Sequence, residues 1–170
     1  MRIRLLAADG ERSYDTQLGR FTDDEAIPCF RCGVCCRRWQ PLLTRPEAEC
    51  LAQHLGLELE EFLRAYTRPY PLEEEAYLLN QRDGACVFLQ DTADGRTRCG
   101  VHAARPQACH DWEASLLRKE CLDGLAALSG AGGLVLPLTL YDDPQDAERL
   151  RRQLRRGITW NLGIRALPPG

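Results

Sequence analysis

The chain has 170 residues, 44% of them hydrophobic and 28% charged, with a formal net charge of -3. That balance describes one ordinary folded domain with a modest core and excludes an acidic tail or a low-complexity chain. There is no global basic field for nucleic acid, and no apolar run reaches the length of a membrane span.

At the N-terminus, MRIRLLAADGERSYD carries Arg2 and Arg4, but its apolar stretch is far too short for the core of a secretion signal. A cytoplasmic location is therefore expected. Arg2–Ala8 reads as a short edge strand, Asp9-Gly10 as a turn, and Asp23, Asp24 and Glu25 as a solvated acidic turn. The densest stretch follows. Ile27–Arg38 places Cys29, Cys32, Cys35 and Cys36 within eight residues as C-x2-C-x2-C-C, with Gly33 allowing the backbone to turn inside the loop. Packing alone does not select sulfur at fixed intervals, whereas a metal does.

Thr44 and Glu47 form a capping-box signature for a helix that buries Ala48, Leu51, Ala52 and Leu55 and stops at Gly56. Cys50, inside this helix, reads as a small buried apolar residue, and His54 as a surface residue. Glu58–Tyr66 is a second short helix with Leu59, Phe62, Leu63 and Tyr66 on one face, ended by Pro69 and Pro71. Ala76–Asn80 and Ala85–Gln90 read as strands around an Asp83-Gly84 turn, and Asp91–Arg98 holds the Asp-Gly pair of a hairpin. Cys99–His102 is a return segment, and Arg105-Pro106 opens a turn or helix carrying Cys109. A helix is predicted over Glu113–Leu128 with Leu116, Leu117, Cys121 and Leu125 near one face. Ser129–Gly133 is a loop, and Leu134–Tyr141 an edge strand or extended segment because it holds Pro137. A last helix has Asp143 as N-cap, Pro144 at its first position, a stripe of Ala147, Leu150 and Leu154, and a stop at Gly157. Its outer face holds Arg149, Arg151, Arg152, Arg155 and Arg156, read as a solvated face balanced by Asp143, Asp146 and Glu148. The tail is expected to pack around Trp160.

Nine cysteines in a chain without an export signal point to reduced thiols that bind metal or do redox chemistry. An odd count and the adjacent Cys35-Cys36 fit a disulfide framework poorly. With Cys50 set aside, Cys29, Cys32, Cys35 and Cys36 form one group and Cys86, Cys99, Cys109 and Cys121 a second. Eight thiolates suit two tetrahedral zinc ions, or an iron–sulfur cluster with a second site. C-x2-C-x2-C followed by a remote fourth cysteine is the spacing of a bacterial [4Fe–4S] site and leans to iron–sulfur. Neighbouring side chains on extended backbone point apart, which would send Cys35 and Cys36 to different sites. His102 and His110 stand close to candidate ligands but read as non-ligands, and Arg31, Arg37, Arg38 and Arg105 offset the thiolate charge.

The segments PCFRCGVCC, ACVFL, RCGVHAARPQAC and KEC together resemble the YkgJ-type cysteine-cluster family, whose signature is CxxCxxCC. The resemblance runs over roughly Ile27–Cys121, leaving the segment after Cys121 uncovered. It implies zinc or iron chelation through the eight cysteines. His102 and His110 depart from it, standing where tyrosine and arginine are usual. A related cluster occurs in flagellin lysine N-methylases, a similarity of the cluster only. No glycine-rich fingerprint supports nucleotide or S-adenosylmethionine binding.

The fold expected is a small irregular α+β domain, single over 1–170, with a 27–121 cysteine core and a C-terminal helical extension. Its expected role is metal binding, structural or redox. The alternatives are a metal-dependent enzyme using His102, His110 or Asp111 as acid/base groups, and an interaction module using the Arg149–Arg156 face. The sequence names no protein partner.

Overall fold

The computed structural model describes residues 2–6, 13–17, 25–129, 134–135 and 137–159. They form short helices and small, mostly antiparallel sheets, an α+β fold. The chain divides into two units: Met1–Cys32 with Glu113–Gly170, and Gly33–Trp112.

The first unit begins with β1 (Arg2–Leu6), antiparallel to β2 (Ser13–Gln17) from Arg2↔Gln17 to Leu6↔Ser13. The sequence places an edge strand here. Instead β1 is the middle strand of three, because a strand from the far end of the chain pairs on its other side. The Asp9-Gly10 turn and most of the acidic turn lie outside the described residues, while Glu25 is exposed.

The second unit opens on Gly33, whose φ of +74° is the left-handed conformation that glycine adopts without strain. It leads into α1 (Val34–Arg38). Strand β3 (Leu42–Thr44) runs into α2 (Arg45–Leu55), started by the predicted capping box: the Thr44 N–H and hydroxyl each donate to Glu47 Oε2 at 2.8 Å. Ala48, Leu51 and Ala52 are buried and Leu55 partly so, and Gly56 ends the helix at φ +69°. Helix α3 (Leu59–Tyr66) points Phe62 inward, with Leu59, Leu63 and Tyr66 beside it.

Strands β4 (Thr67–Pro69) and β5 (Ala76–Leu79) complete a sheet of order β3-β5-β4, with Pro69 on its edge, where no ladder donor is needed. The two-residue strands β6 (Gln81–Arg82) and β7 (Ala85–Cys86) flank Asp83 and Gly84, at φ +52° and +73°, the paired positive angles of a tight hairpin. Strands β8 (Leu89–Asp91) and β9 (Thr97–Cys99) form the hairpin predicted from Asp94-Gly95. A 3-10 turn, His102–Ala104, and α4 (Gln107–His110) close the unit.

The first unit resumes with α5 (Lys119–Ala127), β10 (Leu134–Val135) parallel to β1, α6 (Pro137–Leu140) and α7 (Pro144–Thr159). Each unit has its own apolar core. In the first it is Ile27, Phe30, Leu116, Cys121, Leu125, Leu140, Leu150 and Leu154, with smaller side chains between. In the second it is Leu43, Leu51, Phe62, Leu79, Phe88 and Val101 with two alanines. Tyr66 stacks on Phe62 at 5.5 Å and on Phe88 at 5.2 Å.

Five further sequence expectations are corrected. Cys50 is exposed, because it lies half a turn away from the face carrying Ala48 and Ala52. The Ala85–Gln90 strand is two strands separated by a turn at Val87-Phe88, which sends Phe88 into the core. The helix predicted from Glu113 starts at Lys119. Upstream, Ala114 accepts the Ile27 N–H at 2.8 Å, and Ser115 folds a turn by accepting the Leu117 N–H on Oγ and the Arg118 N–H on its carbonyl. Leu117 is consequently exposed. Pro137 does not sit in an extended segment but opens α6, at a position whose N–H a helix does not use. The last helix passes Gly157 and runs to Thr159, since an interior glycine costs only about 1 kcal/mol.

The rest of that last helix follows the sequence. Asp143 Oδ1 accepts the Gln145 N–H at 2.8 Å, and Ala147, Leu150 and Leu154 are fully buried. Arg149 pairs with Asp146 and Arg151 with Glu148, so the expected charge balance holds, although the Arg151 side chain is largely buried rather than on the outer face. Ser129 folds its hydroxyl back onto the Leu125 carbonyl at 2.7 Å, while Trp160 and residues 130–133 of the predicted loop lie outside the described residues.

Phe62→Ala is expected to destabilise the protein by about 3–5 kcal/mol, since it removes a ring with no exposure from the core and from one end of the aromatic stack. Cys50→Ser, on the solvent face of α2, should stay within about 0.5 kcal/mol of wild type. Urea unfolding measures both.

Candidate metal centre

The eight candidate cysteines divide between the units. Cys29, Cys32 and Cys121 belong to the first; Cys35, Cys36, Cys86, Cys99 and Cys109 to the second. All nine cysteines of the chain are thiols, none in a disulfide.

In the second unit, Cys35 and Cys36 lie in α1, not on extended backbone. Successive helical residues are about 100° apart rather than opposed. Their sulfurs stand 3.9 Å from each other, so the two thiols face one place, a correction of the divergence expected for them. Helix α1 packs against β7, which carries Cys86. The Phe88 and Leu89 N–H groups donate to Cys86, an arrangement that the Val87-Phe88 turn produces and that a continuous strand would not. Cys99 ends β9, pairs with Leu89 across the hairpin and, like Cys86, packs at the margin of the core. Cys109 lies in α4.

The electrostatics of these five thiols are those of a crowded group. The hydrogen bond from Cys35, then burial, then the charges of Cys35, Cys86 and Cys109 all hold Cys36 protonated far above an ordinary thiol. Burial raises Cys86 and its two N–H donors pull against that. Burial, and then Cys86, Cys99 and Cys35, push Cys109 up to about 11, with Arg105 opposing. Cys36, Cys86 and Cys109 resist ionisation partly because neighbouring thiols would be ionised beside them.

Of the arginines expected to balance thiolate charge, Arg105 does lower Cys109, whereas Arg31 and Arg37 hold the carboxylates of Asp142 and Asp91, each at 2.9 Å. His102 and His110 are exposed. Burial, then the Arg105 and His110 charges, depress the His102 pKa, and Arg105 Nη1 lies 3.3 Å from its ring nitrogens. Asp111 accepts from Gln107 at 2.6 Å.

In the first unit, the Cys29–Cys32 loop turns on Arg31, a non-glycine residue at φ +53° whose N–H donates to Cys29 Sγ at 3.4 Å. Cys121 is buried in α5, and Gly124, one turn on, shares its face. Cys32 lies against Gly124: a Cβ there would sit 2.7 Å from Cys32 Cβ and closer still to its sulfur. Cys32 and Cys121 thus meet the same core.

Sequence reasoning passed over two residues. Gly124 carried a signal, since a glycine inside a predicted helix marks a close approach. Tyr141 carried none. Its hydroxyl donates to the Pro28 carbonyl at 2.7 Å, and burial, followed by the charges of Cys29, Asp146 and Cys121, raises its pKa well above that of a free phenol.

Among the described residues, no three His, Cys, Asp or Glu side chains stand closed around a metal position. The donor chemistry nevertheless fits a thiophilic metal. Soft thiols are grouped, and backbone N–H groups point at two of the sulfurs, which stabilises a thiolate.

A family model described as "putative zinc- or iron-chelating domain" matches residues 28–125, and the chain belongs to this CxxCxxCC family. No curated relative and no solved structure matches.

Alanine at position 124 should reverse the usual helical preference. Gly→Ala in a helix normally stabilises by about 1 kcal/mol. Here the added methyl drives into Cys32, so Gly124→Ala is expected to lower the urea midpoint. In the metal-free, reduced protein, Cys109 keeps its proton up to about 11 when folded, against 9.0 for an ordinary thiol. The folded state therefore binds more protons than the unfolded one between those values, and stability falls as pH rises through that window. Cys109→Ser should flatten the fall, read as urea midpoints at increasing alkaline pH.

Proposed function

We propose that this protein chelates iron or zinc through Cys29, Cys32, Cys35, Cys36, Cys86, Cys99, Cys109 and Cys121, in a structural or redox role. The observation that carries the reading is the second unit's thiol group: two sulfurs 3.9 Å apart on α1, within the charge field of Cys86 and Cys109. A metal ion removes the penalty that keeps these thiols protonated, and its binding releases their protons. The grouping supports two sites. Cys35, Cys36, Cys86, Cys99 and Cys109 are the ligands of one, and Cys29, Cys32 and Cys121 of the other.

The C-x2-C-x2-C spacing supports iron as an iron–sulfur cluster. The family description, which names zinc beside iron, keeps zinc as the other metal. An odd number of cysteines with an adjacent pair suits thiols kept for metal in a reducing compartment, the cytoplasm. Metal-dependent catalysis is a second reading, favoured by the three-thiol count of the first unit, which leaves a coordination position for a non-protein ligand.

Anaerobic isolation with metal and acid-labile sulfide analysis tests the reading. Iron with equimolar sulfide supports the cluster, and zinc without sulfide supports the ions. Each of the eight Cys→Ser variants should lose metal, and Cys50→Ser should keep all of it. Cys121→Ser and Cys36→Ser should each lose a different fraction. If either one empties the protein completely, the two-site assignment fails.

A further inference from the structure

We infer that the corner between α6 and α7, Tyr141 to Asp143, is a clamp that positions the Cys29–Cys32 loop for metal. The corner lies outside the residues matched by the family model, so nothing in that match assigns it a role. The inference rests on the chelation reading of Cys29, Cys32 and Cys121.

Three consecutive side chains divide the work. Tyr141 donates its hydroxyl to the carbonyl of Pro28, the residue before Cys29, at 2.7 Å. Asp142 Oδ2 accepts from Arg31 Nη2 at 2.9 Å. Asp143 caps α7 through the Gln145 N–H and so fixes where the corner sits. The two outward bonds fall on either side of Cys29, on residues 28 and 31.

Arg31 is the strained point of the loop. Its φ of +53° is rarely adopted by a residue with a side chain, and its N–H donates to Cys29 Sγ at 3.4 Å. Holding the Arg31 side chain from Asp142, and the preceding carbonyl from Tyr141, keeps the backbone in the form that presents Cys29. The corner is in turn anchored by Leu140, which is buried in the core that contains Cys121. The same segment thus touches the loop and the core seat of the third thiol. Tyr141 and Asp142 are positioning residues: they act on Cys29 through Pro28 and Arg31.

The test compares anaerobically isolated wild type with Tyr141→Phe and Asp142→Asn, following iron and zinc released to a chromogenic chelator. The metal fraction absent from Cys121→Ser identifies the first site. Loss of an outer support of a metal ligand costs roughly tenfold in affinity. The expected result is therefore release about tenfold faster from that fraction in both variants, with the remaining fraction and the total loading unchanged. Urea midpoints of the metal-free proteins are read alongside. Asp142→Asn should leave the midpoint in place, because an ion pair between two exposed side chains contributes little to stability. A merely structural role would shift that midpoint and spare the release rate. Normal loading with wild-type release in both variants, or equal acceleration of all the metal, overturns the clamp alone. A wild type that carries neither iron nor zinc overturns the chelation reading and the clamp with it.

Discussion

Thiols gathered in one place cannot all be ionised unless something positive joins them, and the second unit is built on that constraint. Cys36 is held protonated by Cys35, by burial and by its further thiol neighbours, and Cys109 by burial and three thiols. One guanidinium, Arg105, pulls against Cys109, while Arg37 is engaged with Asp91. A disulfide would relieve the repulsion only by removing two thiols at a time, and the structure joins none of them in one. A thiophilic cation relieves it for several at once, which makes metal affinity a property of the group rather than of any one cysteine.

The backbone serves the same end in both units. At Cys29 and at Cys86 the chain turns within three residues, so that N–H groups point back at sulfur. The turn at Cys29 uses a left-handed arginine. The turn at Cys86 interrupts what would otherwise be one strand and also delivers Phe88 into the core against Tyr66. An N–H aimed at sulfur favours thiolate over thiol, the reverse of what burial does. At Cys86 the two donated N–H groups therefore work against the rise that burial causes.

How much of this was legible depended on the range of the interaction. Local chemistry was readable: the Thr44–Glu47 capping box, the stripe of Ala147, Leu150 and Leu154, and the turns at Asp83-Gly84 and Asp94-Gly95 need only a few residues of sequence. The errors came where a distant partner decides. Glu113–Arg118 has helical periodicity, but Ile27 takes the Ala114 carbonyl. Arg2–Leu6 looks like an edge strand until β10 arrives from more than a hundred residues away. The candidate thiols could be named from spacing, and their division could not. Cys32 and Cys35 are three residues apart yet belong to different units, and only the conformation of α1 turns the adjacent Cys35 and Cys36 toward each other. Tyr141 was invisible, because a lone tyrosine at a helix corner has no pattern until its hydroxyl meets Pro28.

The two thiol groups also differ in what holds them. In the second unit the core is aliphatic and aromatic, and Cys86 and Cys99 only pack at its margin. In the first unit Cys121 is itself a core residue, 5% exposed among Phe30, Leu125 and Leu140, and Cys32 rests on the helix that carries it. A change of charge at Cys121 is a change inside an apolar core, where an unpaired ion is least tolerated. The thiol form suits that core as an ordinary small hydrophobe, and the thiolate form suits it only when paired with a cation. Ionisation at Cys121 therefore bears on the first unit's core directly, the core that also anchors the corner at Tyr141.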